Sequence, residues 1–329
     1  MVNKMLLIAA TISLLMCSVE IHASKPSTIN ELFGQSNLLD QSNRCYPVLR
    51  YDPANESYNR DAEELIKQYT RLLSTNSPKC TQYIIYRERA DVYSKLRQYS
   101  REIEDRKKVI GRPSSNLADY FSLGNAFLNA GRYEESVEHL TYVIDRMPKE
   151  RQILRYRSLA LYKLGKYELA RIDALEYLSG FADVSDIIVL LGDIETGLKN
   201  YRKAKEHYEK ALRVLKKDFL MMGFNPQKMV GSTDLALLYV KIAITMQRMN
   251  EKDPEQFYKL AVREDRYIYE PYYHYARFLV NKLQLNKQEL KLTRELLVKA
   301  KRYTPVNDTV AREKVKVLMR EFETKIQKR

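Results

Sequence analysis

The sequence predicts an all-α fold, a solenoid of stacked helix–turn–helix units. Three observations carry that reading. The stretch "GRYEES" at 131–136 returns 34 residues on as "GKYELA" at 165–170 and again as "KNYRKA" at 199–204, and "RQYSRE" at 97–102 precedes it by the same step. In this register Tyr99, Tyr133, Tyr167 and Tyr201 form one column, and Ala90, Gly124, Ser158 and Gly192 form a column of small residues. The 329 residues are also 45% apolar but include only ten Gly and ten Pro, so the chain can bury a core while its connections stay short.

Within each period two apolar runs of helical spacing flank a short polar stretch. Small residues fall where the two helices must approach, and bulky ones fill the space beside them. One such pair cannot cover its own apolar faces, so pairs must stack.

Residues 1–23 read as an export signal: Lys4, then the apolar run Met5–Met16, then a cleavage point after Ala23. The run is shorter than the ~20 residues of a membrane span; an uncleaved anchor is the alternative. Cleavage removes Cys17 and leaves Cys45 and Cys80, which an oxidising compartment would join. That bridge would stabilise the chain by roughly 3–4 kcal/mol; two buried thiols are the alternative. Residues 24–82 form an N-terminal segment with a helix at "NRDAEELIKQYTRLLST". Four repeats follow at 83–116, 117–150, 151–184 and 185–218. Asp218–Thr233, "DFLMMGFNPQKMVGST", leads through a linker at 219–235, read either as a helix extension packed on the array or as a Met-rich binding loop. Two looser repeats occupy 236–307, opening at "YVKIAITM" and "YYHYARFL", with Asp253 expected as a helix cap and Pro254 at the first helical position. Residues 308–329 are expected to form a final helix covering the last apolar face.

Tyr120, Leu123, Gly124, Phe127, Gly131, Tyr133, Leu140 and Pro148 stand in the order and spacing of the tetratricopeptide repeat, and the chain resembles that family. The resemblance implies a right-handed superhelical solenoid whose first helices line a concave, partner-binding groove. By that resemblance the groove columns hold Arg87, Asp91 and Lys95, then Phe121, Asn125, Leu128 and Asn129, then Arg155, Leu159, Tyr162 and Lys163, then Asp193. Asn125 suits a peptide backbone, Arg155 and Lys163 suit a carboxylate, and Phe121, Leu159 and Tyr162 are the expected apolar anchors. Some positions depart from the family pattern. Arg89 and Arg157 stand where an apolar residue is usual, Glu195 breaks an apolar column, and Glu102 and Arg106 replace small and apolar residues of a second helix. The Lys/Asn/Arg clamp of chaperone-binding relatives is not reproduced.

The sequence contains no HExxH, no GxSxG and no Gly-rich phosphate loop. His139 and His207 share a column two repeats apart and are expected at the surface, too far apart to share a metal ion. No catalytic residue, metal or cofactor is expected. The net charge of +14 is concentrated in residues 201–329, which hold 29 Lys+Arg against 16 Asp+Glu. The expected role is therefore a non-enzymatic, exported scaffold of the periplasm or cell envelope that binds a protein or peptide. The rival reading is electrostatic binding of an anionic envelope polymer or membrane surface through the basic block. Nucleic acid is a poor candidate for an exported chain. If the Cys45–Cys80 bridge forms, the mature chain unfolded without reductant shows no reactive thiol and shows two after reduction; two reactive thiols before reduction would exclude the bridge.

Overall fold

The computed structural model describes residues 56–74, 79–111, 115–221, 233–265 and 267–327. The expected signal, Cys45 and most of the 219–235 linker lie outside them. Fourteen helices and no strand occur among the described residues: α1 Glu56–Ser74, α2 Lys79–Lys95, α3 Tyr99–Val109, α4 Leu117–Asn129, α5 Tyr133–Arg146, α6 Gln152–Lys163, α7 Tyr167–Gly180, α8 Ser185–Gly197, α9 Tyr201–Met221, α10 Thr233–Arg248, α11 Glu255–Glu264, α12 Tyr269–Val280, α13 Lys287–Tyr303 and α14 Thr309–Gln327. The chain divides into two compact units, Met1–Gly180 and Phe181–Arg329. In the first, α2/α3, α4/α5 and α6/α7 pack as pairs and α1 covers α2. In the second, α8/α9, α10/α11 and α12/α13 pair, and α14 closes on α12 and α13. The division falls after Gly180, inside the run of four gapless repeats.

One turn joins the helices of five pairs. Arg97, Gly131, Gly165, Lys199 and Asn250 stand at φ 56°, 76°, 72°, 62° and 52°. The next N–H donates back to the carbonyl five residues before it: Gln98 to Tyr93, Arg132 to Phe127, Lys166 to Leu161, Asn200 to Glu195 and Glu251 to Met246, all at 2.8–2.9 Å. This left-handed closure satisfies carbonyls that a helix end leaves without partners. Gly takes the position freely, and Arg97 and Lys199 adopt it at a cost of about 1 kcal/mol each. Asp253 differs from expectation. It stands at φ 62°, and Pro254 takes the cap position of α11 with no side-chain cap hydrogen bond.

The small column marks the close approach within each pair. Ala90, Ser158, Ala243 and Ala276 are fully buried. A Cβ added at Gly124 would meet the Leu140 side chain at 3.0 Å, and one at Gly192 would lie 2.3 Å from the Tyr208 ring. A side chain at Gly192 would have to displace the Tyr208 ring or the backbone that carries it.

The apparent departures are ion pairs. Arg89 on α2 grips Asp105 on α3 with two hydrogen bonds of 2.7 Å, and Arg157 on α6 grips Asp173 on α7 at 2.7 and 2.8 Å. Each guanidinium also donates to a threonine of the preceding helix, Arg89 to Thr70 at 2.8 Å and Arg157 to Thr141 at 3.1 Å. Asp105 and Asp173 are buried. In the intervening repeats the same two columns hold Leu123 with His139 and Leu191 with His207. This is why His139 and His207 are half-buried and not at the surface: the His139 ring packs 5.2 Å from Phe127, and burial lowers the pKa of His207. Glu102 and Arg106 form a second network, in which Arg106 donates to Glu102 and to Asp91, both at 2.8 Å. Burial raises the Glu102 pKa. Glu195, also buried, accepts from the Asn200 amide at 2.8 Å.

The alternation supplies its own test. Arg157→Leu leaves the Asp173 carboxylate buried without its cation, and urea denaturation should show a loss of ~3–5 kcal/mol. Adding Asp173→His recreates the Leu/His pair of the neighbouring repeats and should recover most of that loss; a double variant no more stable than the single one would refute the equivalence.

Candidate functional site

The first helices α4 and α6 lie against each other in the first unit. Asn116 and Asp119 form a reciprocal capping box at the start of α4, which fixes where its exposed face begins. Asp119 is also the anchor for α2: Arg87 donates to it twice, at 2.8 and 2.9 Å, and the Tyr83 hydroxyl at 2.9 Å. Burial pushes the Asp119 pKa up, and the Arg87 charge opposes that rise.

These contacts sort the expected groove residues. Arg87 is committed to Asp119, and Asp91 accepts from Arg106 while half its side chain stays in solvent. Phe121 is only 7% exposed: it packs with Leu140, Val143, Met147 and Ile153, with Tyr156 edge-on at 5.0 Å. Leu128 is 9% exposed. The apolar stripe of α4 is wide enough to draw both inward, so neither offers a side chain to a ligand. Asn125, Leu159 and Tyr162 are half-buried, and Lys95, Asn129, Arg155 and Lys163 are exposed. Tyr162 lies 5.9 Å from the Tyr167 ring and 5.7 Å below the Lys163 ammonium. In the second unit Asp193 accepts the Tyr208 hydroxyl at 2.7 Å and pairs with Lys241, so its charge is spent internally. What remains on α4 and α6 is a mixed surface of amides, cations and one aromatic ring, with the donors and acceptors to hold an extended peptide. Among the described residues, no group of three or more His, Cys, Asp or Glu is placed to hold a metal ion.

The second unit contains a cavity of about 400 Å³ lined by Ile244, Gln247 and Arg248 of α10, Tyr258 of α11, His274, Arg277 and Phe278 of α12, and Asn281 at the C-cap of α12. Tyr258, 1% exposed, stacks on Tyr275 at 5.8 Å and donates its hydroxyl to the Gln247 side-chain carbonyl. Beside it Lys282, whose ammonium lies 5.0 Å from the Phe278 ring, donates to Glu255 and Glu289 at 2.8 Å each, and Lys325 of α14 donates to the Val280 carbonyl at 2.6 Å.

Residues 121–183 and 185–214 match the tetratricopeptide repeat family. The chain carries tetratricopeptide repeats. RNA polymerase II-associated protein 3 of Xenopus laevis is 30% identical over 91 residues, which span 28% of this chain and 14% of that protein. Two solved structures share the fold: a tetratricopeptide repeat protein from Parabacteroides merdae (TM-score 0.61, 12% identity, 79% of this chain and 93% of that one) and the C-terminal part of a repeat-containing protein from Cytophaga hutchinsonii (TM-score 0.52, 14% identity, 78% and 95%).

Five of the eight cavity residues fall on tetratricopeptide columns visible in the sequence. Counting from Tyr120, Asn125, Leu128 and Asn129 are the groove positions. The same steps from Tyr239 reach Ile244, Gln247 and Arg248, and from Tyr272 they reach Arg277 and Asn281.

His274 gives the second unit a pH signature. Burial, then the Arg277 and Lys314 charges, hold its pKa down to about 4. The unfolded ring titrates near ~6.5, so below that pH the unfolded chain takes up a proton that the folded chain refuses. The ring is neutral in both states above ~6.5, and stability falls as pH drops from there to about 4. In thermal denaturation His274→Gln should flatten that fall relative to wild type; parallel curves would show that the ring does not titrate as stated.

Proposed function

We propose that this chain is an exported, non-enzymatic scaffold that binds a protein or peptide partner on the first-helix face of its repeats and serves assembly or maintenance of the cell envelope. The supporting observation is the α4–α6 surface. Asn129, Arg155 and Lys163 are exposed beside half-buried Asn125, Leu159 and Tyr162, while the second helices bury Leu140, Val143, Ala170 and Ala174 in packing. Such a surface couples amide hydrogen bonding with charge and a ring that loses little freedom on binding. The name of the Xenopus relative describes association with another protein, in keeping with a partner-binding role. The export assignment rests on Lys4, Met5–Met16 and Ala23.

The basic residues of the last helices interleave with acids, as in Lys259–Glu255 and Lys316–Glu313, the pattern of a solvated helix face. The test is capture from an envelope extract by the chain starting at Ser24, at low and high salt, beside Asn129→Ala/Lys163→Ala. A protein partner that withstands salt and binds the variant about 10- to 100-fold more weakly is expected. Equal capture by both chains, or capture that salt abolishes, would overturn the reading.

A further inference from the structure

The cavity of the second unit is rich in hydrogen-bond donors and has no carboxylate in its lining. Arg248 and Arg277 each stand in the last turn of a first helix. Three lysines of this unit are spent in ion pairs: Lys205 with Glu251, Lys241 with Asp193 and Lys282 with two glutamates. Among the described residues neither arginine pairs with a carboxylate, and the one hydrogen bond of Arg277 goes to the Tyr273 hydroxyl at 3.3 Å. The helix C-termini account for positive charge in the last turn. They do not account for two guanidinium groups on the same cavity. The Gln247 carbonyl is occupied by Tyr258, which leaves its amide nitrogen as a donor, and Asn281 adds another amide. Ile244 and Phe278 supply apolar wall. The volume lies within the ~300–1,000 Å³ usual for small-molecule clefts.

We propose that this cavity binds a small organic acid, its carboxylate held by Arg248 and Arg277 and its apolar body set against Ile244 and Phe278. Guanidinium forks match carboxylates in geometry, and an acid of this kind supplies the negative charge that the lining lacks and an apolar body to cover Ile244 and Phe278. The site lies in 233–281, apart from the α4–α6 surface assigned to a partner, so either assignment can fail without the other.

Calorimetric titration of the full mature chain with 3-phenylpropionate tests it. Saturable one-to-one binding is expected, at least about tenfold tighter than for the neutral 3-phenylpropionamide, and weakened about tenfold by Arg248→Gln and by Arg277→Gln. Both arginines are exposed, so helicity and Tm should be unchanged, and the acid–amide comparison needs no variant at all. A blocked alanyl-phenylalanine acid in a parallel titration separates the sources: tighter binding than phenylpropionate supports a chain-terminal carboxylate, weaker binding a free acid. No saturable binding of either acid, equal binding of acid and amide, or undiminished binding by both variants would overturn the proposal.

Discussion

The structure depends on two helices touching at one small residue per repeat. Where Ala90, Gly124, Ser158, Gly192, Ala243 and Ala276 stand, the backbones come close enough for a second-helix side chain to fill the contact, and any added volume must displace something. Gly192 shows the limit, with a virtual Cβ 2.3 Å from the Tyr208 ring. This close approach fixes the angle of each pair, and the left-handed turn after the first helix is the connection that serves it. Five turns built on Arg97, Gly131, Gly165, Lys199 and Asn250 share one hydrogen bond, although only two of the five residues are glycine. The geometry therefore comes from the helix contact, and residue choice at the turn modulates its cost.

Once the pairs are set, function is a matter of which first-helix side chains packing leaves over. Phe121 and Leu128 are taken inward, Arg87 by Asp119 and Asp193 by Tyr208 and Lys241. Asn129 and Lys163 remain exposed. The same division in the second unit leaves Arg248 and Arg277 on a cavity also lined by Tyr258, whose ring stacks on Tyr275. The two surfaces occupy equivalent columns and differ in chemistry, mixed and amide-rich in one, cationic and concave in the other.

Much of this was legible in the sequence, because a 34-residue period repeats the helix pair, its turn and its small contact in one frame. The helix positions and the Tyr and small-residue columns needed no structure. The groove was less legible. A column predicts which way a Cα faces, but burial also depends on the width of the apolar stripe, and at Phe121 a neighbour's Tyr156 ring closes over the edge. Column reading also treats positions singly, so Arg89 and Arg157 looked like polar intrusions, although Asp105 and Asp173 stand sixteen residues on in each case. Asp253 failed as a cap because its backbone is spent on the turn, at φ 62°. The cavity was overlooked because the repeats that build it keep the Tyr and Ala positions but lose the exact period.

From the alternation of Arg/Asp with Leu/His we infer that the array has a means of finding its register. Identical repeats are free to pair with the wrong neighbour, since the apolar contacts are interchangeable. If α4 took α3 or α7 as its partner, Leu123 would face Asp105 or Asp173, and a buried carboxylate would lose its cation. If α2 took α5, Arg89 would face His139, with no carboxylate to receive its fork. Either error forfeits ~3–5 kcal/mol, comparable to a large part of a domain's net stability. A buried ion pair adds little over well-packed apolar residues in the correct structure. Its value here lies in the incorrect ones, where half of it is left alone in the core, and placing it in every second pair penalises the one-repeat slip that a uniform array would allow.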